Sequence, residues 1–201
     1  MSIIRRALVV PAVAALVVSL SACDADEVGA AAVIGDYRVT VTELQQQTRD
    51  VMDLDGSQVD ETSDLTELQS ILLEREVRHQ VLTAMAVDHD VVVTDADVDE
   101  YIEETLAPQA PDGDITELLG QFGYTEETLR IGVHDELAAG ELSSALGDDP
   151  GAFADEFNAT ADELGVAINP RYGTWGDDLA LERTSGSISE PFDVEQPVPS
   201  Q

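Results

Sequence analysis

Apolar residues recur at helical spacing along most of the chain, and polar capping residues separate the repeats. The clearest repeat is Ile115, Leu118, Leu119 and Phe122, which stand at i, i+3, i+4 and i+7 on one face of a short helix. Similar stripes follow Thr or Asp residues that have an acidic residue three positions later, a pattern typical of helix starts. Together the stripes predict helices at 41–54, 65–88, 95–106, 115–122, 126–146 and 153–164.

The second predicted helix does not keep its apolar residues on one face. Leu68 and Leu72 share a face in its first half, whereas Val77 and Val81 lie on a face rotated by more than a quarter-turn. A helix whose stripe changes direction is expected to contact different neighbours along its length.

Short apolar runs predict a small amount of β-structure at the two ends of the helical region. Two such runs flank Gly35 and Asp36 and predict a hairpin. Residues 166–168 are also strand-like, and we expect them to pair with the hairpin and close the domain. The predicted fold class is therefore mainly α, with five to six helices and a β-hairpin or three-stranded element joining the N- and C-terminal segments.

The first 22 residues have the pattern of an export signal. Arg5 and Arg6 precede an apolar run at 7–18, and this run is shorter than the about 20 residues that a bilayer-spanning helix needs. We therefore expect a signal peptide at 1–22 that is removed, rather than a membrane-spanning helix.

A lipid attachment site is predicted directly after this segment. Leu20, Ser21 and Ala22 precede Cys23, which is the only cysteine of the chain. The four residues resemble a bacterial lipobox, in which the cysteine thiol takes the lipid. We expect palmitate-type acyl chains on Cys23 to anchor the protein at the extracytoplasmic face of the cell membrane. The alternative is an ordinary secretory signal with a chance cysteine at its cleavage site.

Charge excludes one large class of partners. The chain has 42 Asp and Glu against 9 Arg and no Lys, which gives a formal net charge of −33. Nucleic-acid binding depends on cationic contacts to phosphate, so DNA and RNA are excluded. Docking to anionic lipid by charge is disfavoured too, so a membrane link must be covalent or apolar. An acid excess without lysine indicates a GC-rich host, and we expect an actinobacterium.

The motifs of the chain predict no catalytic residue, no cofactor and no metal site, and hence a protein that is not an enzyme. Nucleophile elbows, phosphate loops and Ser-x-x-Lys do not occur. The acids at 95, 97 and 99 lack the Gly and Glu that an EF-hand loop requires, so they predict a capped helix start. Glu76 and His79 share a helix face, but a di-iron site needs a second such pair. We therefore predict that His79 is a solvated helix residue.

One stretch of sequence resembles a known family. Residues 32–44, where a Gly-Asp turn precedes a Thr-capped helix containing Glu-Leu, resemble the opening of the SurA/PrsA-type exported chaperones. The order that follows is also similar: a long helix, an extended link at 91–95, an acidic third helix, and the run 123–130 leading into another long helix. The resemblance covers residues 31–146. It implies a SurA N-terminal-like helical domain that holds unfolded secreted or outer-membrane proteins.

The C-terminal part departs from that family. Several members add parvulin domains for prolyl isomerisation, but only 55 residues follow the last long helix here, and they lack the parvulin histidine and Gly-Gly-Asp-Leu-Gly pattern. Isomerase activity is therefore not implied. Residues 168–175 are similar to a strand and turn in small actinobacterial SurA-like lipoproteins. Two interpretations are open: Tyr172 and Trp175 pack on helices, or they form a recognition loop with Arg171.

These observations predict a lipid-anchored holdase that binds unfolded or newly exported polypeptides and has no isomerase domain. The candidate contact residues are Leu118, Phe122, Tyr172 and Trp175. The alternative is an adaptor that docks one specific cell-envelope protein through the loop at 172–175. The predicted organisation is a signal peptide at 1–22, a lipidated cysteine and tether at 23–30, the helical domain at 31–183, and a disordered tail at 184–201. The oligomeric state is left open.

Overall fold

The computed structural model describes residues 29–57, 59, 65–110, 115–176 and 179–182, without the side chains of 117, 118 and 121. Within these ranges, the structure has six α-helices, one three-stranded sheet and one two-stranded sheet, which confirms the predicted mainly helical class. The elements in chain order are β1 (Ala30–Ile34), β2 (Tyr37–Thr40), α1 (Val41–Met52), α2 (Leu65–Asp88), α3 (Asp95–Tyr101), α4 (Ile115–Phe122), α5 (Glu126–Ala145), α6 (Pro150–Leu164), β3 (Ala167–Ile168), β4 (Thr174–Trp175) and β5 (Leu181–Glu182).

β1 is the central strand of a three-stranded antiparallel sheet. It pairs with β2 through a turn at Gly35, whose φ of 57° lies in the left-handed region that glycine adopts freely. On its other edge β1 pairs with β3, with Ala32 opposite Ile168. This pairing confirms the expectation that the strand after the last helix joins the N-terminal hairpin.

Threonine caps begin three helices as the sequence predicts. The Thr40 hydroxyl accepts a hydrogen bond from the Glu43 backbone N–H at 3.1 Å, and the Glu43 carboxylate accepts one from the Thr40 N–H at 2.8 Å. Thr94 and Asp97 repeat this exchange at the start of α3, and Thr125 caps α5. These bonds use backbone groups that a helix end otherwise leaves without an intrahelical partner.

The end of α1 and the start of α6 differ from their predicted positions. α1 ends at Met52 rather than at residue 54, and α6 begins at Pro150 rather than at 153. The early start of α6 has a simple cause, because Asp149 accepts a hydrogen bond from the Gly151 N–H at 2.9 Å and proline is well tolerated at the first helical position. The cap predicted for α2, at residue 64, lies outside the described residues.

α2 is the central helix of the fold, and it packs against α1, α5, α6 and β1. Leu44 of α1, Leu142 of α5 and Phe157 of α6 belong to the same core as α2. Because its neighbours lie on several sides, the apolar residues of α2 do not form one stripe. Its fully buried side chains are Leu73, Val77, Val81 and Met85.

The segment after α6 folds back onto the core. Tyr172 is only 4% exposed, and its carbonyl accepts a hydrogen bond from the Ser70 hydroxyl of α2 at 3.1 Å. Gly173 has a φ of 137°, and a Cβ there would lie 2.5 Å from the carbonyl oxygen of Glu182, so this turn requires glycine. The Trp175 ring stacks on Phe157 with centroids 6.2 Å apart. This segment therefore has a structural role in the core.

The predicted anchor and tail cannot be located on this fold. Residues 1–28, which include the predicted signal peptide, the lipobox and Cys23, lie outside the described residues, and so do 183–201. Among the helices that the structure describes, none is both long enough and apolar enough to cross a membrane.

Candidate functional site

An apolar groove lies between α3, α4 and α5. It encloses a cavity of about 470 Å³. Leu119 and Val133 are buried within it, whereas Phe122 is 62% exposed at its edge. The groove is lined mainly by apolar side chains, which include Tyr101, Leu106, Ile115, Leu119, Phe122, Leu129 and Val133.

The position of α4 depends on close backbone contact. A Cβ on Gly120 would lie 2.1 Å from the carbonyl oxygen of Asp55, so only glycine lets α4 approach the turn after α1 this closely. α4 then ends at Phe122, because Gly123 adopts a φ of 66° that most other residues avoid. Phe122 is thereby left at the open edge of the groove.

Arg75 of the central helix α2 holds the end of α4 in place. Its guanidinium Nη1 donates to the Gly123 carbonyl at 3.1 Å, and Nη2 donates a longer bond to the Phe122 carbonyl at 3.4 Å. The same guanidinium lies over the Tyr124 ring, 4.0 Å from its centroid. Arg75 thus satisfies backbone carbonyls that a helix C-terminus leaves without an intrahelical partner.

The segment after α3, which forms one wall of the groove, is irregular. The prediction of one regular helix at 95–106 is therefore wrong. The α-helix ends at Tyr101, a π-helical turn follows at Ile102–Leu106, and a 3₁₀ turn follows at Ala107–Gln109. Pro108 lacks a backbone N–H and therefore cannot continue the α-helical hydrogen bonds. π-helical turns inside helices often occur at functional sites, and this one brings Leu106 to the groove.

One acidic residue, Glu136, is among the residues that line the groove. Glu103 and Glu104 are exposed on the π-helical turn but are not among those lining residues. Arg130 of α5 forms an ion pair with Asp99 of α3, and its hydrogen bond to that carboxylate raises the pKa of Arg130. This pair joins two walls of the groove, although an exposed ion pair adds little stability.

The structure separates the four predicted contact residues. Phe122 lines the groove, and Leu118 lies in α4 but its side chain is outside the described part. Tyr172 and Trp175 pack with the core around α6 and are not among the residues that line the groove. Phe122 and this aromatic pair therefore do not form one surface.

The groove residues on α3 and α5 were not predicted as contact residues. Tyr101 and Leu106 belong to a stripe that the sequence alone cannot distinguish from core packing, and Val133 belongs to a buried face of α5. Gly132 could have indicated the groove face of α5, because a glycine inside a long helix often allows a neighbouring residue to pack closely against the helix. Here a Cβ at Gly132 would lie 3.4 Å from the Tyr124 ring.

The prediction that His79 is solvated is wrong. Its side chain is 25% exposed, and its Nδ1 lies 2.7 Å from Asp135 Oδ1 of α5, within hydrogen-bond distance. This hydrogen bond raises the pKa of His79 against the opposing effect of burial. His134 adjoins the pair, so two imidazoles and a carboxylate that could hold a metal ion meet between α2 and α5.

Comparison with known proteins gives one family. The family model for the SurA-like N-terminal domain matches residues 1–143. Curated proteins and solved structures give no significant match to the chain.

Replacing Arg75 with methionine is expected to destabilise the protein by about 1–2 kcal/mol, because it removes two hydrogen bonds and a cation–π contact while keeping the aliphatic stem. Urea denaturation of the two proteins measures this difference. The matched control is Arg49→Met on α1, since Arg49 is exposed and its guanidinium hydrogen-bonds the neighbouring Gln46 side chain. Equal losses in both variants would contradict the anchoring role of Arg75.

Proposed function

Because the chain belongs to the SurA-like N-terminal domain family, we propose that it is a holdase that binds unfolded or newly exported polypeptides in the groove between α3, α4 and α5. Membership suggests a chaperone-type module. The binding surface, the kind of client and the location go beyond what family membership suggests and are part of our proposal.

The exposure of Phe122 beside an apolar cavity is the main support for this proposal. Phe122 is 62% exposed, although it belongs to the apolar face of α4. The cavity beside it has a volume of about 470 Å³. Cavities that bind small ligands or side chains have volumes of about 300–1,000 Å³. An extended client segment can therefore place apolar side chains in the groove and cover Phe122.

The acidic surface supports the same proposal. A formal net charge of −33 keeps complexes of the protein with apolar clients in solution by mutual repulsion. Glu136 in the groove lining, together with the acidic surface as a whole, also favours client segments in which arginine or lysine flanks apolar residues.

The location is part of the proposal. Signal peptide 1–22 directs export, and the lipid on Cys23 holds the protein at the extracytoplasmic face of the cell membrane. Newly exported polypeptides emerge at this face. The residues between Cys23 and β1 then form a short tether, so the groove stays close to the membrane.

The adaptor alternative receives less support from the described residues. It depended on an exposed aromatic loop at 172–175, but Tyr172 is 4% exposed and Trp175 stacks on Phe157. No other feature of the described residues favours a single specific partner. The aggregation experiment distinguishes the adaptor from the holdase.

Residues 24–201, which include every described residue, are expected to suppress aggregation of a chemically unfolded protein without nucleotide. Phe122→Ser should raise the concentration needed for half suppression about tenfold, because burial of an aromatic side chain contributes about 1.5–3 kcal/mol and 1.4 kcal/mol is a factor of ten. Light scattering measures the effect. The control Val87→Ser removes an apolar side chain that is 73% exposed on α2 and should change nothing.

No suppression by the unaltered protein at several-fold excess would exclude a general holdase and leave the adaptor alternative. Equal suppression by both variants would exclude the groove as the binding surface.

Cys23→Ser is expected to abolish incorporation of an alkyne-labelled palmitate in an actinobacterial host and to release the protein from the membrane fraction, because the serine hydroxyl does not replace the thiol as lipid acceptor. Ser19→Ala, which lies outside the predicted lipobox, serves as the control and should be labelled normally. Labelling that persists in Cys23→Ser would contradict the proposed attachment site.

A further inference from the structure

Two histidines and a carboxylate converge between α2 and α5, outside the apolar groove. His79 Nδ1 lies 2.7 Å from Asp135 Oδ1, and His134 Nδ1 lies 3.5 Å from the same oxygen. One ligand atom from each residue lies within 4.8 Å of the other two. We infer that His79, His134 and Asp135 form a binding site for a divalent transition-metal ion of the Zn²⁺ class.

The donor set suits such an ion. Zn²⁺ is commonly bound by imidazole nitrogen and carboxylate oxygen at about 2.0–2.2 Å in tetrahedral geometry, with water in the fourth position when the protein gives three ligands. Tetrahedral bonds of about that length separate ligand atoms by about 3.4 Å. The two histidine–Asp135 distances of 2.7 and 3.5 Å fall on either side of that value, and the two histidine ligand atoms lie within 4.8 Å of each other, so side-chain rotation has to bring the three atoms to tetrahedral spacing.

An unpartnered nitrogen points to the same conclusion. The Nδ1 atom of His134 is buried and has no hydrogen-bond partner among the described residues, although it lies close to Asp135. Buried polar atoms are normally hydrogen-bonded, because leaving one unsatisfied costs free energy. A hydrogen-bonded His79–Asp135 pair would explain two of the three residues, but a bound ion also gives the His134 nitrogen its partner.

Access and local charge favour a cation. His79 and Asp135 line a cavity of about 290 Å³, with the buried His134 Nδ1 behind Asp135, and Glu76 and Glu136 line the cavity as well. Arg75 and Arg78 also line this cavity, but Arg75 is engaged with the end of α4, and Arg78 forms an ion pair with Glu74 at 3.6 Å and a hydrogen bond to the Leu179 carbonyl. The carboxylates therefore attract a cation towards the three ligands.

The bound ion would join the central helix to α5. α2 supplies His79, and α5 supplies the adjacent residues His134 and Asp135. Because α5 also forms a wall of the groove, an ion at this position would fix that wall against α2. This role is additional to client binding and does not depend on it.

The test is calorimetric titration with Zn²⁺ of the full chain carrying Cys23→Ser, kept in mild detergent and freed of metal by a chelator. One ion per chain is expected. His134→Ala should weaken binding by more than about 100-fold, because even outer partners of metal ligands contribute about 10–100-fold in affinity. The Nδ1 atom of His134 has no hydrogen-bond partner within the described ranges, so the variant loses only the edge contact with the His79 ring, whose centroid lies 6.2 Å away. His89→Ala is the matched control, since His89 pairs separately with Glu156.

Binding that is weak, multiple and equal in the His134→Ala variant would overturn the inference and indicate diffuse association with surface carboxylates. A second measurement needs no variant. Zn²⁺ should shift the imidazole proton resonances of two of the three histidines in the NMR spectrum and leave the third, His89, unchanged. Equal movement of all three resonances, or of none, would also overturn it.

Discussion

Burial of the helix α2 is the constraint on which the rest of the structure depends. Val77 and Val81 are fully buried on it, and the helix is covered by α1, α5, α6 and β1. A polar side chain on a covered face of such a helix needs a partner in a neighbouring element, because a buried polar group without one costs free energy. Arg75 meets this need at the end of α4, and His79 meets it at Asp135 of α5. Core packing, the anchoring of α4 and the His79 cluster therefore all depend on one helix.

The groove exists because α4 is not part of that core. α4 packs against α5 and approaches the turn after α1 through Gly120, while the π-helical turn after Tyr101 completes the opposite wall. The apolar surface between these elements is exposed to solvent at Phe122. In a protein with so much negative charge, mutual repulsion disfavours self-association through an uncovered apolar surface, and this agrees with the proposed binding of unfolded chains.

Local signals in the sequence predicted the elements well, because the interactions that define them are local. The Thr40 and Thr94 caps and the Gly35 turn each depend on residues within a few positions. The groove and the His79 cluster depend instead on the register between helices that are distant in sequence. No spacing rule within one helix can reveal that His79 meets a carboxylate 56 positions later. The irregular turn before Pro108 was missed for a related reason, since the apolar stripe continued through it.

Binding of unfolded clients in the groove is tested most directly by hydrogen–deuterium exchange on residues 24–201 with and without an unfolded client. A client bound in the groove should slow exchange in α4 and in the first half of α5, because these segments form the groove, and leave β4 and the Tyr172 turn unchanged. Slowing confined to the segment 169–176 would contradict binding in the groove and identify that turn as the binding surface. No slowing in any element, with the client present in excess, would contradict client binding itself.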